Sequence, residues 1–216
     1  RYVVKRHGAA GSPILKLPTT RHPDLVANEF IAFQLCKPVG LDSAHASVIS
    51  RADAELPEAV PFEDILAVER FDRGPGGQRI HMEEFAQVLG YEPNHKYGKG
   101  LEKDYSDMLR IIDQLSVRPA QDVQEFVNRF VTFILMGNTD AHLKNWAFRY
   151  PDGIHPQLAP LYDPVCITAF FEGVSEQDYA INRAIDKTVR GFTWEDLDAL
   201  LAKAKVMRRG RIVQVA

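Results

Sequence analysis

Cysteine is scarce in this chain: Cys36 and Cys166 are the only two among 216 residues. They stand far apart with no CxxC partner, which excludes a disulfide scaffold and a cysteine zinc site. Two buried thiols in a reducing compartment are expected, and with them a cytoplasmic location. Long apolar runs are missing as well. No stretch reaches the ~18 residues of a membrane span, and no leader pattern is read, so no membrane partner is expected. An excess of basic charge is also lacking. Lys plus Arg total 26 against 29 Asp plus Glu, a formal net charge of −3, so no direct contact with nucleic acid is expected. Only Lys203, Lys205, Arg208, Arg209 and Arg211 cluster, and they read as a solubilising tail. What remains is ordinary globular composition, 45% hydrophobic and 25% charged, in a length that allows one domain or two lobes.

The pattern along the chain changes character once. Tyr2-Val3-Val4 and Ile14–Leu17 read as short strands around a Gly/Ser/Pro turn at 7–13. Residues 24–37 read as a helix with Leu25, Phe30, Ile31, Phe33 and Leu35 on its apolar face. Val48–Ser50 and Ile65–Phe71 read as further strands. Asp72-Arg73-Gly74-Pro75-Gly76-Gly77 is the strongest breaker, and the boundary between two lobes is placed there, at 1–73 and 74–216. Beyond it helices dominate: Met82–Leu89, Tyr105–Leu115, Ala120–Gly137 and Trp194–Lys205. The third of these is apolar nearly all round toward its end and is expected to be central. Trp146–Tyr150, the turn Pro151-Asp152-Gly153 and a return strand near 154–158 form a hairpin signal.

The chemistry concentrates in Gly137-Asn138-Thr139-Asp140-Ala141-His142-Leu143-Lys144-Asn145, directly after the most apolar helix. The hairpin then brings Leu161-Tyr162-Asp163-Pro164 back toward it. Asp140, Asn145 and Asp163 can therefore converge on one point. One carboxylate able to orient a hydroxyl, plus an amide oxygen and a second carboxylate able to hold Mg²⁺, suits phosphoryl transfer from a nucleotide. The spacing of five from Asp140 to Asn145 is that of a kinase catalytic loop. A plain turn with local side-chain bonds is the competing reading.

The run Asn138–Asn145 followed by Leu158-Ala159-Pro160-Leu161-Tyr162-Asp163 resembles the C-terminal kinase domain of HipA-type toxins, bacterial serine/threonine kinases of toxin–antitoxin modules. Val68–Arg73 resembles that family's hinge and Ile14-Leu15-Lys16-Leu17-Pro18 its nucleotide-lysine strand. Asn28-Glu29 and Glu83–Gln87 fit as well. The resemblance implies an α+β, two-lobed protein-kinase-like fold, with a small, incomplete N-lobe and a larger helical C-lobe carrying a catalytic hairpin. It implies Asp140 as catalytic base and Asn145 and Asp163 as Mg²⁺ ligands. Lys16 would reach the ATP phosphates with Glu29 as its ion-pair partner. Backbone groups of Glu69 and Phe71 would hold adenine, and His142 and Tyr162 would line the nucleotide site. It further implies a protein substrate, such as an aminoacyl-tRNA synthetase, growth arrest, and an antitoxin partner.

Two departures stand out. Many protein kinases carry a lysine two residues after the base, where this chain has His142; Lys144 either faces the phosphates or points to solvent. The family's Gly/Ser/Gln phosphate loop and N-terminal subdomain are not matched upstream of Lys16, and weak nucleotide binding with slow transfer is the expectation. Three alternatives stay open: a kinase-like module acting by protein binding, a metal-dependent hydrolase built on Asp140, His142 and Asp163, and a small-molecule kinase of the same broad fold.

Overall fold

The structure, a computed structural model, describes residues 13–92, 95–96, 105–169 and 191–206. The expected strand at 2–4, the turn at 7–12 and the arginines of the basic tail lie outside them.

Among the described residues, two small antiparallel sheets and five helices make a mixed α/β fold. The first sheet has the order β1 (Pro13–Lys16), β3 (Asp64–Glu69), β2 (Ala46–Ser50), with Ile14 opposite Val68 and Val48 opposite Leu66. Helix α1 (Leu25–Cys36) lies on it and buries Val26, Glu29, Ala32, Phe33 and Cys36. That face differs from the expected one, because Ile31 and Leu35 are exposed. The helix is apolar on both sides, so its pattern did not choose between them. The choice follows Val26-Glu29-Phe33-Cys36, a helical stripe whose one charge is taken by Lys16. Cys36 and Cys166 are free thiols; Cys36 is buried, which pushes its pKa up to about 12, and Cys166 is half-buried.

The breaker run after β3 is a 3₁₀ turn at Pro75–Gly77, with Gly76 and Gly77 at φ 77° and 80°. The expected helix over 82–89 is instead strand β4 (His81–Glu84) followed by one turn, α2 (Phe85–Val88). The Gln87 side chain accepts the Glu84 backbone N–H at 2.9 Å, which starts the helix there. The preceding residues pair with β5 (Ala147–Tyr150), and β6 (Gln157–Leu158) completes the second sheet. The hairpin is present, with a shorter return strand than expected.

Helices α3 (Tyr105–Leu115) and α4 (Pro119–Leu135) pack on each other and against β6, and α5 (Trp194–Ala204) packs on α3. Thr193 caps α5 as its sequence suggests, its N–H donating to Asp196 Oδ2 at 2.8 Å. Helix α4 supplies Phe126, Phe130 and Phe133 to the core, but its last residue, Leu135, is 82% exposed. Trp146 sits among these rings, 4.5 Å from Phe126 and 5.5 Å from Phe133 between centroids. One continuous cluster of buried side chains runs from Val26 and Phe33 of α1 to Leu200 and Ala204 of α5.

Two buried polar devices set the position of the hairpin. Asp122 Oδ2 accepts Ser116 Oγ–H at 2.6 Å and Leu158 N–H at 2.7 Å. Arg118 Nε stands 2.9 Å from Oδ1, a charge contact outside hydrogen-bond alignment. Arg129 donates to the Ala159 carbonyl at 2.8 Å and the Asp42 carbonyl at 3.1 Å, so one guanidinium ties the residue just after β6 to the segment between α1 and β2. Removing the Asp122 carboxylate leaves buried donors without an acceptor. Asp122→Ala is expected to cost about 3–5 kcal/mol, read as a lowered midpoint in chemical unfolding; a loss below about 1 kcal/mol would contradict this role for Asp122.

Candidate active site

A cleft of about 610 Å³ opens between the two sheets, a size suited to a nucleotide-sized ligand. Lys16, Glu69, Phe71, Asp140, His142, Asn145, Tyr162 and Asp163 all line it. The site residues expected from sequence are thus brought together, apart from Glu29, which lies behind Lys16.

Lys16 ends β1 and donates to two carboxylates, Glu29 of α1 and Asp163 beyond the hairpin. Glu29 is 1% exposed. A carboxylate so deeply buried needs a cation, and the lysine supplies it. Asn28, the neighbour of Glu29, clasps the chain just after Asp163: its amide donates to the Cys166 carbonyl at 3.1 Å and accepts the Cys166 N–H at 2.8 Å. Asp163 itself is held at φ 56°, in the left-handed region. Lys16 thus holds the Asp163 carboxylate, and the two Asn28 bonds hold the backbone three residues on, between α1, β1 and the hairpin.

The loop from 138 to 145 is shaped by its own side chains. Gly137 turns the chain at φ 66°, and a side chain there would collide with Thr168. Asn138 Oδ1 accepts the Asp140 N–H at 3.0 Å, and the Asn145 amide donates to the Asp140 carbonyl at 2.8 Å. The Ala141 carbonyl takes bonds from Tyr105 Oη at 3.0 Å and Trp146 Nε1 at 3.2 Å, which anchor the loop to the aromatic core. Leu143 is fully buried. With its inner face fixed this way, the loop presents Asp140 to the cleft with a 38% exposed side chain.

Tyr162 joins the two sides. Its hydroxyl donates to the Lys144 carbonyl at 2.8 Å, and its ring lies 5.2 Å from that of Phe71. Burial, with the acids Glu84 and Asp163 nearby, pushes its pKa well above the ordinary tyrosine value. Burial also raises the Glu84 carboxyl, a like charge on Asp163 adding to it and Lys144 opposing. Burial lowers the His142 pKa despite the Asp140 carboxylate. The imidazole is therefore neutral near pH 7, with Lys96 Nζ 2.9 Å from its Nε2.

Sequence reasoning missed Lys96 and Glu84 as cleft residues and left Lys144 undecided; all three line the cleft. The Glu84-to-Gln87 cap was the available signal for Glu84. Nothing in the local pattern around Lys96 marks it. Among the described residues no three His, Cys, Asp or Glu side chains gather as a metal-binding group. What the cleft offers a cation is the Asp163 carboxylate and the Asn145 amide. The Asn145 nitrogen is committed to the Asp140 carbonyl, so its oxygen is the end available to a metal. One carboxylate and one amide oxygen fit Mg²⁺, which keeps several waters.

Comparisons with known proteins find one family over nearly the whole chain. A family model described as HipA-like C-terminal domain matches residues 2–215. The protein named "Putative kinase Y4dM" of Sinorhizobium fredii is 35% identical over 209 residues, covering 95% of this chain and 49% of its own length. The serine/threonine-protein kinase toxin HipA of Shewanella oneidensis is 29% identical over 189 residues, covering 80% and 41%. The chain spans about half the length of the curated relatives it matches. Among solved structures, the Shewanella oneidensis toxin–antitoxin complex of HipA, HipB and operator DNA superposes with a TM-score of 0.73 at 26% identity, over 90% of this chain and 46% of that one. The Helicobacter pylori proinflammatory kinase CtkA shares the fold, with a TM-score of 0.51 at 21% identity over 71% and 50%. With its cleft, loop and hairpin covered by one family model over nearly the whole length, the chain belongs to the HipA-like C-terminal domain family.

Proposed function

We propose that this chain is the kinase domain of a HipA-type toxin, transferring the γ-phosphate of ATP to a serine or threonine hydroxyl of a protein. The observation that carries the reading is Lys16, held between Glu29 and Asp163 in a cleft that Asp140 and Asn145 also line. A lysine fixed by a buried glutamate is a placed charge for a phosphate. The division into two lobes near residue 74 belongs to the same reading, with the cleft as the seam.

Each wall has a task. The Glu69 N–H is donated to the His45 carbonyl at 2.8 Å, so Glu69 offers its carbonyl. Phe71, two residues on, can offer an N–H. One acceptor and one donor at that spacing match the edge of adenine, and Ile14, Ala44 and Val68 give apolar walls for its faces. Lys16 holds phosphate oxygens. Asn145 and Asp163 would hold Mg²⁺, which when bound neutralises charge on the phosphates. Asp140 orients the hydroxyl. As the hydroxyl oxygen bonds to the γ-phosphorus, the bond to the bridging oxygen breaks, its electron pair leaves with ADP, and the hydroxyl proton passes to Asp140. His142, neutral through burial, lines the site without adding a second charge beside the base.

An antitoxin partner, an aminoacyl-tRNA synthetase as target and a cytoplasmic setting belong to this proposal. The antitoxin partner is supported by the HipA–HipB–operator DNA complex that the fold matches. The hydrolase alternative is not favoured, because His142 Nε2 faces Lys96 rather than a carboxylate pair. Transfer of labelled phosphate decides between the kinase and the protein-binding alternative.

In a labelled-ATP assay with Mg²⁺, Asp140→Ala is expected to lower transfer by about 10²–10⁴-fold with nucleotide binding nearly unchanged. Binding with no transfer by the unaltered chain would favour the protein-binding module. The depressed His142 pKa also predicts a pH effect on stability. Its folded value lies below the unfolded value, so the contribution is complete above about pH 6.5 and is lost as pH falls through the folded value. The melting temperature of the unaltered chain should therefore fall more between pH 7.5 and pH 5 than that of His142→Gln; equal falls would contradict a buried neutral histidine.

A further inference from the structure

The segment between α2 and α3 contributes one more cation to the cleft. Lys96 lines it beside Asp140 and His142. Two contacts hold this lysine on the 138–145 loop. Its carbonyl accepts the Leu143 N–H at 3.0 Å, and its Nζ lies 2.9 Å from His142 Nε2. An ammonium only donates, so Nε2 is the acceptor and the ring proton sits on Nδ1. Asp140 Oδ1 stands 4.0 Å from the same Nε2. The imidazole edge thus fixes an ammonium at the base end of the cleft, near the Asp140 carboxylate.

Phosphoryl transfer asks for positive charge at that place, because negative charge spreads over the three equatorial oxygens of the group in flight. Many protein kinases supply it with a lysine two residues after the base. This chain has His142 there. The other two lysines of the cleft have no such contact with the His142 imidazole beside Asp140. Lys16, the lysine read above as holding phosphate, is anchored at Glu29 and Asp163. Lys144 bears on Glu84, and its backbone is held by Tyr162. We infer that Lys96 supplies the missing cation, contacting the γ-phosphate oxygens of the bound nucleoside triphosphate from its seat on His142. The inference rests on the kinase reading and adds to it the group that distinguishes a triphosphate from a diphosphate.

The test titrates the whole chain calorimetrically with the Mg²⁺ complexes of ATP and ADP, using the unaltered protein, Lys96→Met and Lys96→Arg, and follows labelled phosphate transfer in parallel. Charge-assisted hydrogen bonds are strong enough for a tenfold effect or more. Lys96→Met should weaken ATP binding at least about tenfold and ADP binding less than about threefold. It should lower kcat more than it raises KM, and Lys96→Arg should restore most of both losses. Retained ATP preference and rate in Lys96→Met would overturn the assignment and leave the kinase reading intact. Equal loss of ATP and ADP affinity together with a lower melting temperature would make Lys96 a structural residue and overturn it too. Failure of the unaltered chain to bind either nucleotide would overturn the kinase reading and this inference with it.

Discussion

The contact on which the site depends is the lysine shared by two acids. Lys16 comes from β1, Glu29 from α1 and Asp163 from the end of the hairpin, so one ammonium joins three parts of the chain. Glu29 is too deeply buried to stand alone as a charge, and its presence inside α1 is stable only with Lys16 against it. That requirement turns α1 so that Val26, Phe33 and Cys36 face inward. It also brings the chain after Asp163 within reach of Asn28, whose amide fixes the Cys166 backbone. The left-handed backbone of Asp163 is tolerated because contacts on both sides hold it.

The second anchor is the aromatic core under the 138–145 loop. Tyr105 and Trp146 both donate to the Ala141 carbonyl, and Trp146 is itself packed against Phe126 and Phe133. The hydrophobic burial of α4 is thereby converted into the position of Asp140. Asp122 and Arg129 do the same for the hairpin, one through Leu158 and the other through Ala159. The cleft lies where these two anchored units meet, which is why residues distant in sequence line a single volume.

Much of this was legible beforehand because its signals are local. The Asp140-to-Asn145 spacing, the hairpin turn and the return of Asp163 are short-range patterns, and the strands around Lys16 and Val68 are short apolar runs next to proline and glycine breakers. What escaped reading was set by tertiary contacts. The 82–84 stretch has a helix-like pattern, yet pairing with β5 makes it a strand. Helix α1 is apolar on both faces, and only the Lys16–Glu29 pair shows which face is inner. Lys96 carries no local signal, since its place in the cleft comes from seating on the 138–145 loop against His142. Family membership accounts for the agreement between motif and fold, and the cleft's inventory of charges is what the chemistry would use.

The central claim is that Lys16 and Asp163 together make a Mg-ATP site. Calorimetric titration of the chain with ATP, with and without Mg²⁺, on the unaltered protein, Lys16→Met and Asp163→Asn tests it directly. The account predicts single-site, Mg²⁺-dependent binding that weakens at least about tenfold in Lys16→Met and loses its Mg²⁺ dependence in Asp163→Asn. Binding that ignores both substitutions, or no binding by the unaltered chain, would contradict it.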